Sequence, residues 1–396
     1  MSTSTPFNID VPQTIIDEIL EKVRAYKWEE MSEIVDASDR WLYGTDMSYM
    51  KELCAYWADN YDWRKEETLL NSFPQFIANV EGQDIHFIHV KGSGANPAPL
   101  LMTHGWPGSV FEFYGVIERL AHPERFGGDK DDGLTLVMPS LPGYGFSGKP
   151  KRPMGPRATA KLWDQLMRGV LGYRNYIAQG GDWGSAVSGW IAHDHSLAKG
   201  GGCKALHYNM YGVYGPVAPE SDEERAWADN ADRIRSREFG YFYLQSTKPQ
   251  TLSYALMDSP VGVAAWIVEK FNSWSDSRGI DGSEHIENAF SKDQILTNIM
   301  IYLVTRTFNT SIWFYRGFRD ERSNFMDPGV KIDLPTGIAV FPKELIPFPP
   351  RSMVEKHYNI VRWVNFDRGG HFAAMETNEL FADEILTFVR EVNTGV

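Results

Sequence analysis

Cysteine is nearly absent: Cys54 and Cys203 are the only two in 396 residues. Two thiols cannot build a disulfide framework, so a reducing, cytoplasmic location is expected. Basic charge is also in deficit, with 39 Lys and Arg against 52 Asp and Glu and a formal net charge of −13. That balance excludes nucleic acid or an anionic membrane as the main partner. No run reaches 18 consecutive apolar residues, so no membrane span is expected. The opening MSTSTPFNIDVPQ has no basic stretch followed by an apolar one, and no secretory signal is expected. Internal repeats and low-complexity tracts are missing too. Aromatic residues, by contrast, are plentiful, at 13 Trp, 18 Tyr and 22 Phe. They imply a large apolar core or an aromatic-lined pocket. With 43% hydrophobic and 23% charged residues the chain is globular in composition. Its length fits two or three units, or one large α/β domain with insertions.

Helical periodicity appears first at Ile15, Ile16, Ile19, Leu20 and Val23, with Asp10 and Pro12 as start signals. A second helix is predicted over Met47–Tyr61. Gln75–Val80 and Asp84–Val90, split by Glu81-Gly82-Gln83, read as a hairpin. From Pro99 short apolar runs alternate with helices. Strands are predicted at Leu100–Thr103, Leu134–Pro139 and Tyr176–Gln179, and helices at Ser109–Leu120, Ala158–Leu171 and Gly184–Ile191. This alternation implies a parallel sheet with helices on both faces. The rhythm stops between about Gly212 and Asp320, which is polar, aromatic and helical in pattern. Strands resume at Thr336–Phe341 and Asn359–Asn365, and Glu379–Val392 closes the chain as an amphipathic helix. An α/β sheet interrupted by a helical insertion over its carboxyl edge accounts for the order.

Three loops carry chemistry. Gly180-Gly181-Asp182-Trp183-Gly184-Ser185 joins a predicted strand to a predicted helix. Small residues flank one reactive side chain, as in a nucleophile elbow, but the centre is Asp182. A carboxylate so placed can attack carbon and form an ester. The plainer alternative is a glycine-rich turn in which Asp182 caps the helix. His104-Gly105-Trp106-Pro107-Gly108-Ser109 follows the first strand of the alternating run, and its backbone can face a developing oxyanion. The donors would be the amides of Trp106 and Trp183. His104 itself is read as a structural hydrogen-bonding group. Arg368-Gly369-Gly370-His371 follows the last strand, placing a histidine after nucleophile and acid in hydrolase order. Glu344, just past the preceding strand, is the candidate to orient that imidazole. Asp333 and Asp367 are the rival acids, one before its strand and the other close to His371.

Together these segments resemble the α/β-hydrolase superfamily and, within it, the epoxide hydrolases of the microsomal-type and fungal soluble branch. The resemblance runs along nearly the whole chain. Tyr61-Asp62-Trp63-Arg64 and Leu70-Asn71-Ser72-Phe73-Pro74-Gln75-Phe76 are similar to that family's N-terminal region. His104–Pro107 matches its HGxP motif, and Pro139-Ser140-Leu141-Pro142-Gly143-Tyr144-Gly145-Phe146-Ser147 its next loop. The resemblance implies an α/β-hydrolase fold: a mostly parallel eight-stranded sheet with helices on both faces, a helical cap inserted after the sixth strand, and an N-terminal helical extension. The divisions expected are 1–74, 75–211, 212–320 and 321–396. It assigns Asp182 as nucleophile, Glu344 as acid and His371 as base, and places two catalytic tyrosines at Tyr241 and Tyr315, with Tyr243 in reserve. Microsomal relatives carry an anchor helix that is not seen here, so the chain resembles the soluble members, and a homodimer is conceivable.

The activity implied is hydrolysis of an epoxide to a vicinal diol through an ester on Asp182, with water as co-substrate and no metal or organic cofactor. Trp266, Phe271 and Trp274 in the cap suggest apolar or aryl epoxides. A haloalkane dehalogenase shares the aspartate and base and is the nearest competing reading. A serine esterase is disfavoured because Ser185 lies off the elbow centre. A non-enzymatic binding protein would be expected to lack part of the catalytic set.

Overall fold

Short apolar runs form the centre of one sheet because they are covered on both faces. In the computed structural model, which describes residues 4–394 except 35, 37–39, 214, 216, 217 and 280, the strands are β1 (Thr5–Phe7), β2 (Gln75–Val80), β3 (Gln83–Val90), β4 (Ala98–Thr103), β5 (Leu134–Pro139), β6 (Tyr176–Gly180), β7 (Cys203–Tyr208), β8 (Ile332–Val340) and β9 (Tyr358–Asn365). Their spatial order is β1-β2-β3-β5-β4-β6-β7-β8-β9. The first three pairings are antiparallel and the rest parallel.

Strand pleating sends alternate residues to opposite faces. Leu100 and Met102 join one apolar cluster while Leu101 joins the other; likewise Leu136 and Met138 face away from Val137. Helices Tyr114–Ala121 and Asn378–Thr394 cover the first face through Val116, Ile117, Leu120, Phe381, Ile385 and Phe388. Helices Pro156–Gln165 and Asp182–His195 cover the second through Leu162, Trp163, Val187, Trp190 and Ile191. Each such large apolar side chain contributes roughly 1.5–3 kcal/mol by leaving water.

The sheet has nine strands rather than the eight expected. The extra one, β1, pairs antiparallel with β2 at the edge; three residues are too short to display alternation. Strand β7 also escaped the residue-by-residue reading, since Lys204 and His207 interrupt its apolar pattern, yet His207 is fully buried. The expected helix at Ser109–Leu120 divides into a 3₁₀ turn, Val110–Phe113, and an α-helix, Tyr114–Ala121. Helix Trp63–Leu70, capped by Asp62, was not anticipated.

Between β7 and β8 the described residues form six α-helices: Asp222–Glu238, Gly240–Thr247, Pro249–Leu256, Pro260–Ser273, Lys292–Val304 and Phe308–Asp320. The insertion therefore leaves after the sixth of the eight expected strands. The N-terminal segment grips it from outside, with Tyr56 donating to Asp293 at 2.9 Å, Lys22 paired with Asp258 at 2.7 Å and Thr45 donating to the Ala265 carbonyl at 2.6 Å. Among the described residues no single helix is long and apolar enough to cross a membrane.

Helix Asp182–His195 reaches the end of β4 because residue 184 has no side chain: a Cβ there would lie 1.8 Å from the Thr103 carbonyl oxygen. Gly184→Ala is expected to lower the unfolding free energy by about 1–3 kcal/mol through overpacking. Urea denaturation measures it, and an unchanged midpoint would contradict the packing described.

Candidate active site

Asp182 sits where β6 passes into helix Asp182–His195, with φ of 45°. Left-handed backbone is costly for a non-glycine residue. It lifts the carboxylate above the carboxyl edge of the sheet, at the positive end of the helix. The Ser185 hydroxyl donates back to the Asp182 carbonyl at 2.6 Å, closing the turn rather than serving as a nucleophile.

Two further loops converge on this carboxylate. The loop after β4 brings the Trp106 N–H to Asp182 Oδ1 at 2.8 Å. Of the two expected amide donors only this one makes the contact; the Trp183 N–H makes no hydrogen bond to the ground-state carboxylate. His104 lies behind the loop, where Nδ1 contacts the Gly105 carbonyl at 2.9 Å and Nε2 accepts from the Leu141 N–H at 3.1 Å. Burial holds this imidazole down to about 4, so it stays neutral as a structural group.

The loops after β8 and β9 pair with each other, Lys343 bridging Gly370 and its N–H donating to the Gly369 carbonyl at 3.1 Å. That pairing brings Glu344 Oε1 to His371 Nδ1 at 2.6 Å, while His371 Nε2 faces Asp182 Oδ2 at 3.4 Å. Side-chain exposure is 1% for Glu344, 3% for His371 and 17% for Asp182, so only the aspartate opens toward a ligand. Asp333 and Asp367, the rival acids, are exposed and do not bond His371.

Burial alone would push the His371 imidazole down. The negative charges and hydrogen bonds of Glu344 and Asp182 outweigh it and hold His371 well above its ordinary value. The cation is therefore favoured while both carboxylates are charged.

Tyr241 and Tyr315 descend from helices Gly240–Thr247 and Phe308–Asp320. Together with Asp182 they line a cavity of about 280 Å³, shared with Trp183, Phe242, Phe318 and Phe325. The Tyr241 ring stacks on Trp106 at 5.3 Å, and Tyr315 stands edge-on to Trp183 at 4.7 Å. Burial, then the field of Asp182, raises the Tyr241 phenol well above its ordinary value. Tyr315 is raised likewise by burial and by the nearby Tyr241 and Asp182. The Tyr315 hydroxyl and the indole N–H groups of Trp106 and Trp183 are buried without a hydrogen bond of normal geometry. Tyr243, the reserve candidate, is 60% exposed.

The inserted helices contribute more than the tyrosines. Trp274 packs edge-on against His371 at 5.0 Å, and its carbonyl accepts the His371 N–H at 2.8 Å. Lys270 Nζ lies 4.6 Å over the Tyr241 ring. Sequence reasoning missed Lys270, although one lysine in the apolar stretch VGVAAWIVEKF was a visible anomaly. Phe271 stacks on Phe372 at 4.2 Å and Trp266 donates to Gln245 at 2.8 Å, so both serve packing outside the cavity.

NMR titration of His371 tests the charge balance. Asp182→Asn and Glu344→Gln are each expected to move its titration to lower pH by about 1 unit or more. An unmoved titration in both variants would contradict it.

Comparison with known proteins bears on the family and the fold. The family described as "Epoxide hydrolase N terminus" matches residues 4–113, and the "alpha/beta hydrolase fold" family matches 98–209. A Stigmatella aurantiaca protein assigned by name to the epoxide hydrolases is 40% identical over 393 residues, covering 98% of this chain and 85% of its own length. Epoxide hydrolase 1 of Oryctolagus cuniculus is 35% identical, covering 97% of this chain and 88% of the relative. Among solved structures, the Aspergillus niger epoxide hydrolase superposes with a TM-score of 0.82 at 30% identity, covering 98% of this chain and 96% of that one. Similarity of this extent, in sequence and in fold, means that the chain belongs to the epoxide hydrolase family of the α/β-hydrolase fold.

Proposed function

We propose that the protein opens an epoxide by covalent catalysis at Asp182 and releases a vicinal diol. The observation that carries the reading is the cavity whose walls include the Asp182 carboxylate and two buried tyrosines. Epoxide opening fails near neutral pH unless the departing oxygen receives a proton or strong hydrogen bonds. Phenols raised well above their ordinary value remain protonated donors throughout the neutral range. Asp182 Oδ1 is held by the Trp106 amide, which leaves Oδ2 to attack a ring carbon from the face opposite the tyrosines. Holding the partners in line accounts for several of the roughly 7–11 kcal/mol available to well-oriented reactions.

Esterification removes the negative charge of Asp182 and with it part of what keeps His371 protonated. The imidazolium gives up its proton, which replaces the one a tyrosine delivers to the epoxide oxygen, and the neutral imidazole, oriented by Glu344, takes a proton from water attacking the Asp182 carboxyl carbon. The resulting oxyanion is stabilised by the Trp106 amide, and by that of Trp183 once the carbon is tetrahedral, each contributing about 3–4 kcal/mol. In this reading residues 1–74 form an extension, 75–211 and 321–396 the catalytic core, and 212–320 the cap that supplies the tyrosines. The aromatic cavity favours apolar or aryl epoxides. Two buried free thiols, Cys54 and Cys203, suit the reducing cytoplasm.

The dehalogenase reading gains one observation, the indole N–H groups of Trp106 and Trp183, buried without a hydrogen bond of normal geometry, which could hold a halide. It leaves the paired tyrosines without a task. Incubation with styrene oxide and with 1-bromobutane separates the two: diol without bromide is expected, and bromide without diol would overturn the proposal. In stopped-flow work with styrene oxide, His371→Gln is expected to accumulate the alkyl-enzyme, and Tyr241→Phe or Tyr315→Phe to slow its formation about 100-fold. Unchanged alkylation in both tyrosine variants would remove them from the mechanism.

A further inference from the structure

A second, much smaller cavity lies on the other side of Asp182. It measures about 20 Å³ and is lined by Thr103, Glu112, Asn209 and His371, with apolar side chains, Phe113 and Phe381 among them, completing the wall. A space of this size admits about one water molecule, which needs roughly 10–15 Å³ and two to four polar partners. Asp182 borders both spaces, whereas His371 and Glu112 border only the small one and Tyr241 and Tyr315 only the large one.

Glu112 has no role in the chemistry set out above, and its position is specific. It follows the Trp106 loop in the 3₁₀ turn Val110–Phe113. Its carboxyl lies against the backbone of residue 108, where a Cβ would fall 1.4 Å from Oε1, so a glycine there is what admits it. Its surface is half-buried, and it lines the small cavity. Desolvation raises this acid to about 8, against the opposing influence of His371. At neutral pH it therefore tends to the protonated form, which both donates and accepts hydrogen bonds. On the far wall, Asn209 accepts from Gln179 Nε2 at 2.8 Å through Oδ1, leaving its amide N–H groups for the cavity.

We propose that this cavity is the chamber for the hydrolytic water, with Glu112 and Asn209 as positioning residues that hold the water between His371 Nε2 and the Asp182 carbonyl carbon. The inference rests on the covalent reading above and refines its second half. Substrate enters on the tyrosine side and water waits on the histidine side, so the ester need not be exposed to bulk solvent. In the step itself the water oxygen bonds to Asp182 Cγ and His371 takes its proton. The bond from Cγ to Asp182 Oδ2, the oxygen that the substrate carbon now carries, then breaks, and Oδ2 leaves as a diol hydroxyl by taking the proton back from His371, while the water oxygen stays in the carboxylate.

Single-turnover kinetics with styrene oxide test the chamber, because alkylation and ester hydrolysis are resolved as separate phases. Glu112→Leu is expected to slow ester hydrolysis about 100-fold while alkylation stays within about 2-fold of wild type. Glu112→Gln keeps a neutral polar group and is expected to recover most of that loss. Gly108→Ala leaves Glu112 in the sequence but pushes its flexible carboxyl aside, and should slow hydrolysis selectively in a protein that folds. A crystal structure of the unmodified protein should hold one ordered water within hydrogen-bonding distance of both Glu112 and His371 Nε2. Slowing of both phases alike, or hydrolysis at the wild-type rate in Glu112→Leu and Gly108→Ala, would overturn the chamber. Failure of the wild type to form any alkyl-enzyme would instead overturn the covalent reading on which it rests.

Discussion

The left-handed backbone at Asp182 is the constraint on which the site depends. Such a conformation costs on the order of 1–3 kcal/mol and persists only when its surroundings hold it. Here the helix behind Asp182 is pressed against the end of β4, with no room for a side chain at residue 184. The same approach places the Trp106 loop, which continues β4, within hydrogen-bonding distance of the Asp182 carboxylate. Relaxing the turn would therefore separate the reactive group from its amide donor as well as from His371.

Charge organises the remainder. Glu344 is almost wholly buried against a histidine that burial alone would deprotonate. The pair is sustained because each supplies the counter-charge the other requires in a low-dielectric setting. The pairing of the loops after β8 and β9 fixes their separation, and the Trp274 carbonyl ties the histidine backbone to the inserted helices. A change of charge at Asp182 is consequently felt at His371 without any large movement.

Much of this was legible in the residues. Alternating runs such as Leu134–Pro139 declared the parallel sheet because burial on both faces demands continuous apolar sequence. The three loops declared themselves through small residues around one reactive side chain at strand ends. The tyrosines were different. Nothing local separates Tyr241 from Tyr243, two positions along the same helix, and family resemblance alone singled out the one that is buried beside Asp182. Glu112 and Lys270 were missed for a related reason: their meaning comes from what folds around them, one against the backbone of residue 108 and the other above an aromatic ring. Strand β1, three residues long, carries too little pattern to be read at all.

The most direct test of a covalent intermediate at Asp182 is a single turnover of excess enzyme on styrene oxide in ¹⁸O-water, followed by mass spectrometry of the peptide containing residue 182 and of the diol. Heavy oxygen in the Asp182 carboxyl, with an unlabelled diol from that first turnover, is the expected result. Label passing straight into the diol, with none in the peptide, would contradict nucleophilic attack by this carboxylate.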